Sequence, residues 1–334
     1  MKATVLTGLN QPLQWQEVPT PVPDEGEVLI LLKAAALNHR DVWIQKGQYA
    51  GLKFPCILGS DGAGVVVEAG PNVDKSWVSK EVILNAGLFW GRNPAFPSKE
   101  FRILGLPDDG TFAEYICFPV SHVYPKPPHL TFEEAAAIPL GGLTAYRALF
   151  SRAGLKAGEK VLITGIGGGV ALLAFQFALS IGAQVYVSSG SDEKLERAKA
   201  LGAAGGVNYR EEDWGKKLAV KAKGLDVILD SAGGKGFGRL IEVAAPGGRI
   251  ALYGGTSGAW KEVSPQRVFF KQLNIFGTTM GSAEEFEAML QLISEKQLKP
   301  ILDQSFPLFE AEQALRRMDG AEQFGKIILQ MDQS

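Results

Sequence analysis

Asn38-His39-Arg40-Asp41 sets an amide, an imidazole, a guanidinium and a carboxylate side by side, directly after the apolar run 28–37. Such a cluster can ligate a metal, relay a proton, touch a cofactor, or only close a polar turn after a strand. A second stretch with chemical potential is the glycine run Gly165, Gly167, Gly168 and Gly169, set between the apolar segments 160–164 and 170–178. Backbone amides of such a loop reach a pyrophosphate only where side chains are absent, and the following helix N-terminus favours an anion. The G-x-G-x-x-G spacing is not met. Ala171 stands at the third-glycine position, where close helix–strand packing still asks for a small residue.

Metal ligation is disfavoured by the residue supply. A zinc site needs three or four convergent Cys, His or carboxylate groups. The chain has three histidines (His39, His122, His129) and two cysteines (Cys56, Cys117), none of them close together in sequence. No metal is therefore expected. A dinucleotide is the expected ligand of the glycine loop, the alternative being a tight turn that holds nothing. In NAD sites an acid at the end of the second strand binds the ribose 2′-hydroxyl. Here Ser188, Ser189 and Gly190 occupy that point. Asp192 and Glu193 come later, where they suit the first turn of a helix capped by Ser191. Small hydroxyls with Lys194 nearby fit a 2′-phosphate, so NADPH is expected over NADH.

These groups need elements to hold them. Up to about residue 120, β-branched and apolar runs punctuated by Gly and Pro predict a mainly antiparallel β domain. Residues 86–110 read as a long loop carrying aromatics. Thr131 with Glu133 and Glu134 marks a helix start. From Glu159 onward, six apolar segments (KVLITG, AQVYVSS, GGVNY, LDVILDSA, GRIALYGG, LNIFGTT) alternate with helical patterns, which predicts a doubly wound parallel α/β sheet. The last 50 or so residues return to two helices and a strand. Two domains with a cleft between them are expected, a favoured place for cofactor and substrate.

Composition is that of a globular protein: 334 residues, 46% hydrophobic, 21% charged and net charge −2. Near-neutral, mixed charge argues against nucleic acid or a polybasic membrane contact as partner. The start lacks a signal-peptide core, and no apolar run reaches the ~18 residues of a membrane span. With two cysteines only, a cytoplasmic protein is expected.

The motifs ALNHRDVW, ILGSDGAGVVVEAG, DGTFAEY, LTAYRAL, GGGVALLAFQFA, GAAGGVNYREED and GRIALYGG run the length of the chain. On them it resembles the medium-chain dehydrogenase/reductase superfamily, and within it the zinc-free quinone oxidoreductase-like branch. The resemblance implies a GroES-like catalytic domain (1–123, completed by 281–334) around a Rossmann domain (124–280), and a homodimer joined through the sixth strand. It implies that Asn38, Ser60 and Leu140 stand where zinc-dependent members carry ligands. In place of those members' cysteine lobe it implies an extended loop packed by Phe89, Trp90 and Phe96. It assigns cofactor contacts to His39, Thr144, Gly168, Gly169, Val170, Ser189, Lys194, Tyr209, Ser231, Tyr253, Gly254 and Lys326, with Ile166 and Ala171 as departures in the loop. It offers Tyr49 as a catalytic donor, by its spacing in 2-enoyl thioester reductases, or alternatively as an aromatic of the cleft wall. Asn38 becomes a donor to the substrate carbonyl or the nicotinamide ribose, Asp41 a loop anchor, and Arg40 a contact for substrate or for Asp61. The implied activity is NADPH-dependent, zinc-independent reduction of quinones or α,β-unsaturated carbonyls. The alternatives are a 2-enoyl thioester reductase, a zinc-type alcohol dehydrogenase, or a dinucleotide-binding regulator without turnover.

Overall fold

The first 36 residues form β1 (Lys2–Leu6) from an apolar run, the largely exposed β2 (Gln14–Glu17) paired antiparallel with it, and β3 (Glu27–Ala36) from a second apolar run. They belong to a computed structural model that describes residues 1–261 and 263–331. After α1 (His39–Gln45) come β4 (Cys56–Ile57), β5 (Asp61–Ala69), β6 (Glu81–Leu84), β7 (Gly87–Leu88) and β8 (Arg102–Ile103). Then follow β9 (Tyr115–Pro119), β10 (Val123–Pro125), α2 (Phe132–Ala136) and α3 (Pro139–Tyr146). The chain divides into two units, one of residues 1–143 and 281–334, the other of 144–280.

The first unit is organised by β3. Its small residues Ala34, Ala35 and Ala36 are fully buried, and β5 runs antiparallel to it along most of its length. β9 pairs with its first half, Glu27 opposite Pro119. The expected boundary at 123/124 falls later in the structure, at 143/144. Residues 124–143 belong to the first unit, because β10 pairs with β6 and α2 packs on β3 and β5. A capping box between Thr131 and Glu134 starts α2. The segment 86–110 is pinned by a short β7–β8 pairing. Its aromatics do not all pack. Trp90 is buried against Phe101, with ring centroids 5.3 Å apart. Phe89, in the left-handed region at φ 58°, turns outward beneath the Arg102 guanidinium, and Phe96 is exposed.

The second unit alternates as expected: β11 (Lys160–Ile163), α4 (Gly169–Ser180), β12 (Gln184–Ser189), α5 (Asp192–Ala200), β13 (Gly205–Asn208), α6 (Trp214–Ala222), β14 (Leu225–Asp230), α7 (Phe237–Val243), β15 (Ala244–Leu252), α8 (Pro265–Phe270) and β16 (Asn274–Gly277). Among the described residues its sheet has six parallel strands in the order β13-β12-β11-β14-β15-β16. The order reverses between β11 and β14, so ligands are expected beyond the carboxyl ends of those strands. One face of the sheet is sealed by Trp214, Leu218, Phe237 and Ile241 against Leu162, Ile228 and Ile250.

The first unit resumes with α9 (Ala283–Glu295), β17 (Leu302–Pro307), α10 (Ala311–Asp319) and β18 (Lys326–Gln330). β18 slots between β3 and β17, Ile328 opposite Ala36. This register carries Lys326 to the end of β3, where α1 begins. No helix among the described residues is long and apolar enough to cross a membrane.

Candidate functional site

In the first unit the polar groups gather where β3 ends, β5 begins and β18 begins. Asp61 is fully buried and Lys326 is 3% exposed. The Lys326 ammonium donates to Asp61 Oδ2 (2.8 Å), Asn38 Oδ1 (2.9 Å) and the Leu37 carbonyl (2.7 Å). Three donors meet three acceptors, which is all a lysine can offer. Asn38 Nδ2 donates to the same Asp61 oxygen at 2.9 Å. The other oxygen, Oδ1, accepts the backbone N–H of Leu140 at 2.8 Å. Lys326, assigned by the resemblance to the cofactor, thus closes a buried network within its own unit.

α1 is anchored by its own acid. Asp41 Oδ2 accepts the Asn38 backbone N–H at 2.8 Å, while its buried Oδ1 has no hydrogen-bond partner among the described residues. Desolvation pushes the Asp41 carboxyl up to about 6, against the pull of Arg40, the Asn38 N–H and Lys326. Arg40 does not reach Asp61, as the sequence had suggested it could. Its Nη1 donates to Ser60 Oγ (2.6 Å) and the Leu104 carbonyl (2.5 Å) instead. A backbone carbonyl of the 86–110 loop satisfies this buried guanidinium, and the carboxylate it was expected to meet already holds Lys326. The Arg40 Nε then donates to Tyr49 Oη at 3.3 Å, with the guanidinium 4.9 Å from the ring centroid. Asn38 and Tyr49 are therefore joined through α1. His39 lies on the exposed side of α1, its ring 6.1 Å from Trp43.

Among the described residues no three His, Cys, Asp or Glu side chains gather as metal ligands. The scattered candidates have other surroundings. His129 Nε2 lies 3.1 Å from the Leu298 carbonyl, and His122 packs on Phe89 and Phe118. Burial pushes the Cys56 and Cys117 thiols up to about 11, away from the thiolate a metal needs.

In the second unit several of the assigned residues sit at or just past strand ends, and others at helix starts. Thr164, just past β11, donates to Asp230 Oδ1 at the end of β14 (2.8 Å), and Asp230 Oδ2 accepts the Gly233 N–H (2.8 Å). The sequence reading missed both Thr164 and Asp230, which tie together the two strands at the reversal point. Ser231 follows directly, its N–H on Thr164 Oγ1 (3.2 Å), and Tyr253 and Gly254 follow β15. Desolvation raises the Tyr253 phenol, against a hydrogen bond to Ser231. The glycine loop turns through Gly167 at φ 122°, a conformation closed to other residues, and the Ile166 N–H holds the Ser188 carbonyl (2.9 Å). Gly168 is the N-cap of α4 and supplies no side-chain cap. The first N–H groups of the helix, from Gly169 and Val170, have no partner within it. Ala171 is buried inside the first turn. Thr144 is also buried, its hydroxyl 3.9 Å from the Met280 sulfur. Ser189 ends β12, Lys194 lies in the first turn of α5, and Tyr209, half exposed, follows β13. An uncapped helix N-terminus beside a small-residue strand end is the donor set a dinucleotide requires.

Two family models match the chain: the alcohol dehydrogenase GroES-like domain over residues 24–128 and the zinc-binding dehydrogenase over 169–295. A zinc-type alcohol dehydrogenase-like protein of Leptosphaeria maculans is 38% identical, the match covering 96% of this chain and 95% of that protein. The chain belongs to the medium-chain dehydrogenase/reductase superfamily. Human quinone oxidoreductase, another relative, is 31% identical over 94% of this chain and 92% of its own. A crystal structure of an NAD-dependent alcohol dehydrogenase superposes with a TM-score of 0.93 at 40% identity, covering 99% of this chain and 100% of that one. This medium-chain dehydrogenase/reductase is an oxidoreductase built from a GroES-like unit and a Rossmann-type unit.

Proposed function

We propose that this oxidoreductase is a zinc-independent, NADPH-dependent reductase of quinones or α,β-unsaturated carbonyls. One observation carries the proposal: the closed network of Asn38, Asp61 and Lys326. Zinc does not fit these residues. Both Asp61 oxygens and the Asn38 carbonyl oxygen already accept hydrogen bonds, two of those three atoms from a buried ammonium. Ser60 Oγ likewise accepts from Arg40 and donates to the Leu104 carbonyl (2.8 Å).

Such a site offers fixed hydrogen-bond donors in place of a Lewis acid. Donors suffice where the charge that develops on oxygen spreads into an enolate or a hydroquinone anion. NADPH, when bound, supplies the hydride. Because Arg40 Nε donates to the Tyr49 oxygen, the phenol's own proton is left to point at the substrate oxygen. Asn38 uses one amide N–H on Asp61, and the second is the other donor assigned to that oxygen. Lys326 and Asp61 fix the Asn38 rotamer. The α4 N-terminus takes the pyrophosphate, and the end of β12 takes the adenosine phosphate. The same proposal includes a homodimer joined through β16, which among the described residues has one strand partner in its own sheet.

The test is an NADPH-oxidation screen over quinones, enones, aldehydes and crotonyl thioesters, with wild type beside Tyr49→Phe. Quinone or enone turnover is expected, reduced by about 10²-fold or more in the variant, as for loss of a general acid or oxyanion donor. Undiminished turnover by Tyr49→Phe sinks its catalytic role. Turnover confined to thioesters points to an enoyl thioester reductase. Stoichiometric zinc in the purified protein removes the metal-free mechanism.

A further inference from the structure

The end of β12 carries more than the residues already named. At Gly190 a Cβ would lie 2.8 Å from Tyr209 Oη and 2.9 Å from Arg210 Nε. A phenol and a guanidinium from the segment after β13 therefore close over this one glycine. Arg210 stands in the charged run 210–213, which in sequence looks like an ordinary solvated turn. Among the described residues its guanidinium has no carboxylate partner, although Glu211, Glu212 and Asp213 follow it directly.

What sets this arrangement is Asn208, the last residue of β13, paired in register with Ser189. Its Oδ1 accepts the backbone N–H of Arg210 at 3.0 Å, which turns the chain so that residues 209 and 210 lean back over Gly190. Its Nδ2 donates to Asp192 Oδ1 at 2.9 Å. Asp192 is the first acid after the strand end, the one placed to compete for a ribose 2′-hydroxyl. One amide thus engages that acid and presents a cation.

We infer that Asn208 and Arg210 set the choice of dinucleotide, Arg210 by holding the 2′-phosphate and Asn208 by engaging Asp192 while it positions Arg210. The inference rests on the NADPH preference proposed above and names the residues that enforce it. A phosphate ester carries close to two negative charges and three acceptor oxygens, which suits a planar guanidinium beside a phenol. The hydroxyl of NADH offers no such charge. Without Asn208, Asp192 is released towards the same place, and its carboxylate repels a phosphate while it accepts from a hydroxyl.

Calorimetric titration of the intact protein with adenosine 2′,5′-bisphosphate and with 5′-AMP isolates this term from hydride transfer. Wild type should bind the bisphosphate more tightly. Arg210→Gln should weaken the bisphosphate by about 10- to 100-fold, the scale of hydrogen bonds to a charged group. Its affinity for 5′-AMP should stay within about twofold. Asn208→Ala should lower the ratio of the two affinities, and Asn208→Ala/Asp192→Asn should restore much of it, because the acid no longer competes. An Arg210→Gln ratio equal to wild type overturns the role of Arg210. An Asn208→Ala protein that weakens both ligands equally, without rescue by Asp192→Asn, makes Asn208 merely structural and overturns its role. A wild type that does not distinguish the two ligands overturns the NADPH preference as well.

Discussion

Replacing Lys326 by Met keeps most of the aliphatic stem and removes the ammonium from the centre of the first unit. Asp61 Oδ2 would then keep only the Asn38 N–H, while Asn38 Oδ1 and the Leu37 carbonyl would lose a donor. Asp61 is fully buried, so water cannot compensate its charge in place. Removing one partner of a buried ion pair costs about 3–5 kcal/mol. The unit has about 200 residues, and for that size each kcal/mol moves the melting temperature by about 2–4 °C, giving a loss of about 6–20 °C. Scanning calorimetry of wild type, Lys326→Met, Asp61→Asn and the double variant measures both the loss and the coupling. The double variant should be more stable than the sum of the single losses by about 2 kcal/mol or more, since it strands no charge. A Lys326→Met protein within about 1 kcal/mol of wild type, or strictly additive losses, would refute the account of the network.

Two other changes have definite signs. Asp41 ionises near 6 in the folded chain and near its ordinary 3.8 when unfolded, so the native state binds the proton more tightly. Its contribution to stability is complete below about pH 4 and is lost as pH rises through 6, about 3 kcal/mol in all. The stability of wild type relative to Asp41→Asn should therefore fall between pH 4 and 7, and a flat difference in denaturant melts contradicts it. Gly190→Ala adds a Cβ whose three nearest atoms belong to the Tyr209 and Arg210 side chains, which can shift. Its melting temperature should stay close to wild type while adenosine 2′,5′-bisphosphate binds about tenfold more weakly. Unchanged binding there places the phosphate elsewhere.

What could be read from the sequence follows from what each element depends on. The strands of the Rossmann-type unit are short apolar runs between helices because both faces of a parallel sheet are covered, and all six stand in the linear pattern. The strands β4, β7 and β8 are each two residues long, too short for any periodicity to show. β18 was legible as a strand, but its place between β3 and β17 was not, since pairing of distant segments leaves no local mark. The same holds in the site. Arg40 is satisfied by a backbone carbonyl 64 residues away, and carbonyls carry no residue signature. The resemblance implies that Phe89 and Phe96 pack their loop, whereas the left-handed backbone at Phe89 turns that side chain outward and Phe96 is exposed. Arg210 and Asn208 were overlooked because a run of charges after a strand is usually a solvated turn. Their meaning depends on Gly190, on the neighbouring strand.

Asp61 and Lys326 lie 265 residues apart, with the whole of the second unit between them. On the ribosome, the Rossmann-type unit can therefore be complete while the first unit still lacks the strand that neutralises its buried acid. Until β18 emerges, β3 keeps an open edge along Ala34–Ala36 and Asp61 has no cation. The nascent chain carries both liabilities for most of its synthesis, so protection by a chaperone matters most in that interval.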